Sequence, residues 1–200
     1  QTTPAASTFL AMPEHTRVRE IFLRSGANLL AGLTFQAMSP KRKETALEVE
    51  GTEHLREALQ QGKGVIMLLA HMGPWEALAQ IPELTAKKGI EVQMASMYRP
   101  LNNRYLDAWF KTQRERNGTR MFSRETGLHA PVDFLRANGM LGILSDQKMR
   151  EGVRVPFFGQ SVPTNPIPGI FHRRTGSPIL STSITTIGPR KWRMKIRRVH

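Results

Sequence analysis

The sequence contains no cysteine and no long apolar run, and each absence narrows the chemistry open to the chain. Without cysteine among its 200 residues, the chain can form no disulfide, thiolate metal site or cysteine nucleophile. Its longest uninterrupted apolar stretch, Val65–Ala70, is far shorter than the roughly 20 residues that a membrane-spanning helix needs. No signal-peptide pattern opens the chain. We therefore expect any membrane association of these residues to be peripheral.

Acidic residues are scarce in the second half of the chain. The net charge is +13, and residues 101–200 carry 18 basic and 6 acidic side chains, whereas residues 1–100 carry 11 and 10. No acid follows Glu151. This asymmetry predicts an anionic partner, which could be phospholipid headgroups, a phosphorylated glycolipid, an acidic carrier protein or nucleic acid. A solubilising surplus of charge is the simpler alternative.

The length and the hydrophobic content of 40% make one domain over residues 1–200 the default prediction. Within it, the Thr/Ala/Pro-rich residues 1–13 are expected to be loosely held. Because the chain begins at Gln1 rather than at a methionine and ends in a basic, strand-like run, we expect it to be a segment of a longer protein.

Short apolar strands alternate with helical patterns along the chain. The predicted strands are Val65–Ala70, Ile90–Met97, Met140–Ser145 and Lys191–Arg198. The predicted helices are Arg17–Phe35, a short one from Thr52, one from Trp75 to about Lys87, and one from about Asn102 to Asn117. This alternation predicts an α/β fold with a mixed central sheet and helices on both faces. The first helix could cover the core or face a membrane.

The sharpest chemical feature is His71, which ends a buried strand and precedes Glu76 by five residues. Ligands of open α/β sheets bind outside the carboxyl ends of the strands. A neutral imidazole there can take a proton from a hydroxyl, and a carboxylate on its other nitrogen fixes the tautomer. We expect the turn at Gly73-Pro74 to bring Glu76 back to His71. A histidine that merely satisfies a backbone carbonyl is the structural alternative.

Five segments in order carry a family resemblance. Leu69–Glu76, read as L-A-H-M-G-P-W-E, resembles the first motif of the late lipid A acyltransferases, the bacterial lauroyl and myristoyl transferases. The wider group includes acyltransferases of mannosylated phosphoinositides. The other matching segments are Tyr98–Asn103, Arg114–Gly118, Asp146-Gln147 and Val155–Gly159 with Thr164 nearby. The resemblance covers roughly Thr52 to Ile184.

The resemblance implies a glycerolipid-acyltransferase-like fold acting at the cytoplasmic face of the bacterial inner membrane. The chain would be peripheral there, or anchored by a segment outside these residues. The implied donor is an acyl carrier protein thioester or acyl-CoA, the acceptor an anionic glycolipid, and no metal or organic cofactor is implied. The implied catalytic residues are His71 and Glu76, and the implied substrate-binding residues are Arg99, Arg114, Arg116 and Asp146.

Some assignments stay open at this stage. Many lipid A enzymes have a second carboxylate two residues after the one matching Asp146, whereas this chain has Lys148, so an acceptor other than lipid A is possible. Arg116 and Arg124 fit a solvated surface equally well. The aromatic pairs Tyr105/Trp109 and Phe157/Phe158 could line an acyl-chain groove or belong to the core. A non-catalytic protein that binds anionic lipid or nucleic acid would explain the basic strand, although no nucleic-acid-binding signature supports a nucleic-acid partner.

Overall fold

The computed structural model describes residues 6–116, 118–147 and 149–199. The strands within these ranges are β1 (Leu47–Glu50), β2 (Val65–Leu69), β3 (Met94–Tyr98), β4 (Arg120–Ser123), β5 (Met140–Leu144), β6 (Val153–Phe157), β7 (Gln160–Thr164), β8 (Ile179–Gly188) and β9 (Lys191–Arg198). The helices are α1 (Ala6–Leu10), α2 (Glu14–Gln36), α3 (Pro40–Ala46), α4 (Thr52–Leu59), α5 (Ile81–Ala86), α6 (Arg104–Glu115), α7 (His129–Arg136) and α8 (Ile167–Thr175). Trp75–Gln80 and Arg124–Thr126 form 3₁₀ turns.

Seven strands form one mixed sheet in the order β1-β9-β8-β2-β5-β3-β4. The five strands from β8 to β4 run parallel, and β9 with its parallel neighbour β1 runs the opposite way. β6 and β7 form a separate antiparallel hairpin. Because β5 is inserted between β2 and β3, the carboxyl ends of strands that are distant in sequence meet at one edge of the sheet.

Helices cover both faces of the sheet. The reason is visible in β2, whose alternate side chains are apolar on both faces. Met67 and Leu69 belong to one buried cluster, which includes Phe35 of α2. Ile66 belongs to a second cluster on the opposite face, which includes Phe171 of α8. A parallel strand with apolar side chains on both faces must be buried on both. The predicted α/β architecture is confirmed.

The helix predicted from Trp75 to about Lys87 is interrupted. It begins as the 3₁₀ turn Trp75–Gln80 and continues as α5 from Ile81. Pro82 explains the change, because a proline has no N–H to donate to the preceding turn and suits the first turn of a new helix instead.

The long helix α2 is covered over only part of its surface. Gly32 and Phe35 are buried near its end, whereas Phe22 and Leu30 are largely exposed. Its last turns therefore cover the core, while its apolar middle lies open. Among the described residues, no helix combines the length and the apolar content required to cross a bilayer.

The basic face of β9 is less cationic than its sequence indicates. Arg193 forms ion pairs with Glu48 and Glu50 of β1 at 2.8 and 2.9 Å, and Lys195 lies 3.2 Å from Glu50. The hydrogen bond and charge of Glu48, followed by the charge of Glu50, raise the pKa of Arg193 above its ordinary value. Arg198 pairs with Glu57 of α4. The basic run predicted as a strand is therefore partly neutralised, since β1 and α4 supply acids that pair with Arg193, Lys195 and Arg198.

Candidate active site

Two strands that are adjacent in the sheet bring His71 and Asp146 together. Leu69 of β2 is in register with Leu144 of β5, and the two polar residues follow two positions after this pair. Gly73 makes the tight exit from β2 possible: its φ is +58°, and a Cβ there would lie 2.4 Å from the carbonyl oxygen of Ile184.

Asp146 holds His71 through both carboxylate oxygens. Its Oδ1 lies 2.7 Å from His71 Nδ1, and its Oδ2 accepts the His71 backbone N–H over 2.7 Å. The His71 side chain remains 27% exposed, and its ring packs edge-on against Trp75 at a centroid distance of 5.6 Å. A carboxylate at Nδ1 favours the tautomer with the proton on Nδ1, so the lone pair lies on Nε2. The imidazole is thereby oriented as a proton acceptor.

Glu76 forms a second, more buried pair with Arg114. Arg114 donates from Nε to Glu76 Oε2 over 3.0 Å and from a terminal nitrogen to Oε1 over 2.7 Å, which is the bidentate geometry of a strong charged pair. The Glu76 side chain is only 6% exposed. Helix α2 packs directly on it, because a Cβ at Gly32 would lie 2.9 Å from Glu76 Cβ. This pair joins α2, the 3₁₀ turn and α6.

An open cavity of about 590 Å³ lies beside these two pairs and is lined by His71, Glu76 and Arg114. That volume is within the range of about 300–1,000 Å³ typical of small-molecule sites. Among the residues that the structure describes, the basic side chains lining it are Arg99, Lys111, Arg114, Arg124 and Arg150. Its apolar wall includes Leu78, Met94, Phe110 and Met121. An apolar wall with several cations suits a ligand that is both hydrophobic and anionic.

In residues 6–116, 118–147 and 149–199, no group of three or more His, Asp or Glu side chains is arranged to hold a metal ion.

Residues 8–197 match the family model for the bacterial lipid A biosynthesis acyltransferases. The chain belongs to this family. A curated relative, the lipid A biosynthesis acyltransferase of Haemophilus influenzae strain Rd, is 28% identical over 130 residues. That alignment covers 64% of this chain and 39% of the relative. The match confirms the family indicated by the five sequence motifs.

Four of the predicted site residues lie in the wall of the cavity. They are His71, Glu76, Arg99 and Arg114. The contact expected between His71 and Glu76 is replaced, because Asp146 lies at Nδ1 and both Glu76 oxygens accept from Arg114. The carboxylate of Asp146, expected to contact substrate, is therefore occupied by His71.

Other predicted residues lie away from the cavity. Arg116 is exposed just after α6 and is outside the cavity lining. Tyr105, Trp109, Phe157 and Phe158 are exposed rather than part of the core, and none of them is among the residues that line the cavity. Lys148, which replaces the second carboxylate of many lipid A enzymes, lies outside the described residues.

Sequence reasoning undervalued three cations of the cavity, namely Lys111, Arg124 and Arg150. Arg124 follows β4 and Arg150 lies a few residues after β5, at the same sheet edge as His71. The rule that ligands bind beyond the carboxyl ends of parallel strands could have identified both arginines. Lys111 could have been found from its position one turn before Arg114 on α6, because residues three or four apart share a helix face.

Proposed function

We propose that this protein transfers a fatty acyl chain from a thioester to a hydroxyl of a glycolipid, with His71 as the general base and Asp146 as its orienting carboxylate. The observation that carries the proposal is the Asp146–His71 pair at the edge of a cavity with an apolar wall and several cations. Family membership supports acyl transfer as the reaction class.

The reaction proceeds without a covalent acyl-enzyme. His71 Nε2 takes the proton of the acceptor hydroxyl as its oxygen attacks the thioester carbonyl carbon. The tetrahedral intermediate collapses, the carbon–sulfur bond breaks, and the imidazolium returns the proton to the departing thiolate. The products are an ester and a free thiol. Asp146 stabilises the imidazolium during this cycle, as a carboxylate does for the histidine of a catalytic triad.

Arg114 and Arg99 bind the anionic part of a substrate in this proposal. Guanidinium groups form bidentate contacts with phosphate oxygens, which either a phosphorylated acceptor or the phosphopantetheine arm of a donor would supply. Glu76 fixes the Arg114 guanidinium from behind through two hydrogen bonds. Its proposed part in catalysis is therefore to position Arg114 rather than to orient His71.

Charge and family membership support the finer assignments of donor, acceptor and location. We propose an acyl carrier protein or CoA thioester as donor, an anionic glycolipid as acceptor, and the cytoplasmic face of the bacterial inner membrane as the working surface. The net charge of +13 supports anionic partners. Partial neutralisation of β9 by Glu48, Glu50 and Glu57 weakens the rival proposal of a non-catalytic basic binder.

The test is thioester consumption and ester formation by purified protein given a long-chain acyl thioester and a glycolipid. His71→Ala should lower turnover by about 10²–10⁴-fold, the usual contribution of a positioned general base. His172→Ala is the matched control, because His172 also has Nδ1 hydrogen-bonded, to the Ser177 carbonyl at 2.8 Å, but lies near the opposite edge of the sheet. A folded His71→Ala protein with turnover close to that of His172→Ala would refute the mechanism.

A further inference from the structure

The β6–β7 hairpin ends in a turn whose sequence conflicts with its backbone. Phe157 pairs with Gln160, which leaves Phe158 and Gly159 as a two-residue turn. Both have positive φ, +48° and +74°, as in a type I′ turn. Asparagine followed by glycine is the preferred sequence for that turn, because these two residues adopt positive φ readily, whereas residues with bulky side chains rarely do. Phenylalanine therefore occupies this position against its local preference.

The turn also exposes two aromatic rings. Phe158 is 92% exposed and Phe157 is 61% exposed, and their rings pack edge-on with their centroids 4.8 Å apart. Neither ring packs in the buried clusters of the described residues. Folding of the chain thus gains nothing evident from this pair, and strained or exposed features of this kind are associated with function.

The hairpin projects from the rim of the His71 cavity. Met149 and Arg150 before the hairpin and Asn165 after it all line the cavity. Helix α6, which lines the cavity through Phe110 and Arg114, also belongs to the rim. All twelve residues of α6 are described and none is buried, although the helix carries the exposed aromatic residues Tyr105 and Trp109. Two elements at the cavity mouth therefore carry exposed aromatic side chains.

Basic side chains accompany these rings. Arg154 of the hairpin is exposed, and its guanidinium donates to the Ser161 carbonyl on the partner strand. Arg104 stacks over the Tyr105 ring at 4.8 Å and donates to its hydroxyl. Aromatic residues flanked by arginine are characteristic of the boundary between acyl chains and headgroups, where rings bury apolar area and cations meet anionic lipid. This combination fits a lipid surface.

We propose that the Phe157–Phe158 turn inserts into the headgroup boundary of a lipid bilayer and holds the cavity mouth against that surface. This proposal rests on the proposed function in one respect, namely that the bilayer would supply the acceptor substrate. Insertion itself is a binding property that can be measured without any reaction.

The experiment measures binding of purified protein to two kinds of vesicle, phosphatidylcholine alone and phosphatidylcholine mixed with phosphatidylglycerol. Phe158→Asn keeps a residue that type I′ turns prefer while it removes the ring. Loss of one inserted phenylalanine should weaken binding to both vesicles by about tenfold or more. Phe158→Leu should retain most of the affinity, because it keeps an apolar side chain. Val199→Asn is the matched control, since Val199 is an exposed apolar residue at the opposite edge of the sheet.

The outcomes separate the possibilities. The proposal is overturned if the Phe158→Asn protein binds both kinds of vesicle as tightly as wild type does. It is also overturned if Val199→Asn lowers vesicle affinity as much as Phe158→Asn does. Dimerisation that depends on Phe158, with vesicle binding unaffected, would assign the turn to a second copy of the chain and also overturn it. His71→Ala should bind vesicles like wild type. If wild type lacks transferase activity while binding depends on Phe158, the proposed function fails and this inference stands.

Discussion

Replacing Asp146 with asparagine removes one acceptor oxygen while leaving the side chain nearly the same shape. Asp146 currently accepts two hydrogen bonds from one residue, the ring Nδ1–H and the backbone N–H of His71. The two donors contact different oxygens of Asp146, and asparagine has an oxygen at only one of these positions and an NH₂ group at the other, so it can keep only one of the two bonds. If its oxygen stays on the backbone N–H, the NH₂ group faces Nδ1 and favours a lone pair there. The proton then moves to Nε2, where the reaction needs an acceptor.

The size of the effect follows from this change of tautomer. The equivalent substitution in a Ser-His-Asp triad lowers kcat about 10⁴-fold because the histidine is held in the wrong tautomer. We expect about 10³–10⁴-fold for Asp146→Asn, with thermal stability changed little because one hydrogen bond to His71 can remain. Steady-state kinetics should place the loss in kcat rather than in KM, because the effect is on proton transfer and not on substrate binding.

Asp107→Asn provides a matched comparison. Asp107 also lines the cavity, but it accepts only one backbone hydrogen bond in the described structure, from Leu101 N–H at 2.9 Å. An amide oxygen can keep that bond, so the loss of turnover should be far smaller. If a folded Asp146→Asn protein loses no more activity than Asp107→Asn, the argument from the tautomer is wrong.

Two further substitutions test the Glu76–Arg114 pair in the cavity lining. Glu76→Gln leaves the Arg114 guanidinium facing an NH₂ group. Because Arg114 is partly exposed, we expect the free energy of unfolding in urea to fall by about 1–3 kcal/mol and the KM for one substrate to rise. Unchanged unfolding and kinetics would show that the pair contributes to neither. Gly32→Ala places a Cβ 2.9 Å from Glu76 Cβ and should lower turnover. A Cβ at Gly26 would have no neighbouring atom within 4 Å, so Gly26→Ala should only stabilise α2, by up to about 1 kcal/mol. Equal behaviour of the two alanine variants in activity assays would show that α2 does not position Glu76.

Local patterns were sufficient to predict the α/β class, four of the seven strands of the main sheet and the edge at which the candidate site lies, whereas β1, β4 and β8 were not predicted. The apolar run ending at His71 and the run ending before Asp146 each showed a strand with a polar residue beyond its carboxyl end. The sequence did not show that these two strands are neighbours. Because β5 is inserted between β2 and β3, the carboxylate that contacts His71 comes from 75 positions away rather than from the nearby Glu76.

Ion pairs between residues distant in sequence also lower the net positive charge of the β9 surface. In β9, Trp192 and Met194 alternate with basic residues, and these apolar side chains form its buried face, as such a pattern predicts. It could not reveal that Glu48 and Glu50 lie on the neighbouring strand β1, far away in sequence, and pair with the basic side chains. For the same reason, the apolar spacing of α6 predicted a helix but not that its aromatic face would be left open.

The register between Leu69 and Leu144 has a consequence for how this scaffold can be altered. The proposed base and its carboxylate are each two residues beyond that matched pair, so the sheet itself sets the distance between them. The cations at Arg99, Arg124 and Arg150 instead come from loops or turns that follow other strands or continue past Asp146. Insertions and substitutions in those loops can change which molecules are accepted while the proton-transfer pair keeps its geometry. An engineer seeking a new acceptor should therefore rebuild the loops and leave the two strand ends untouched.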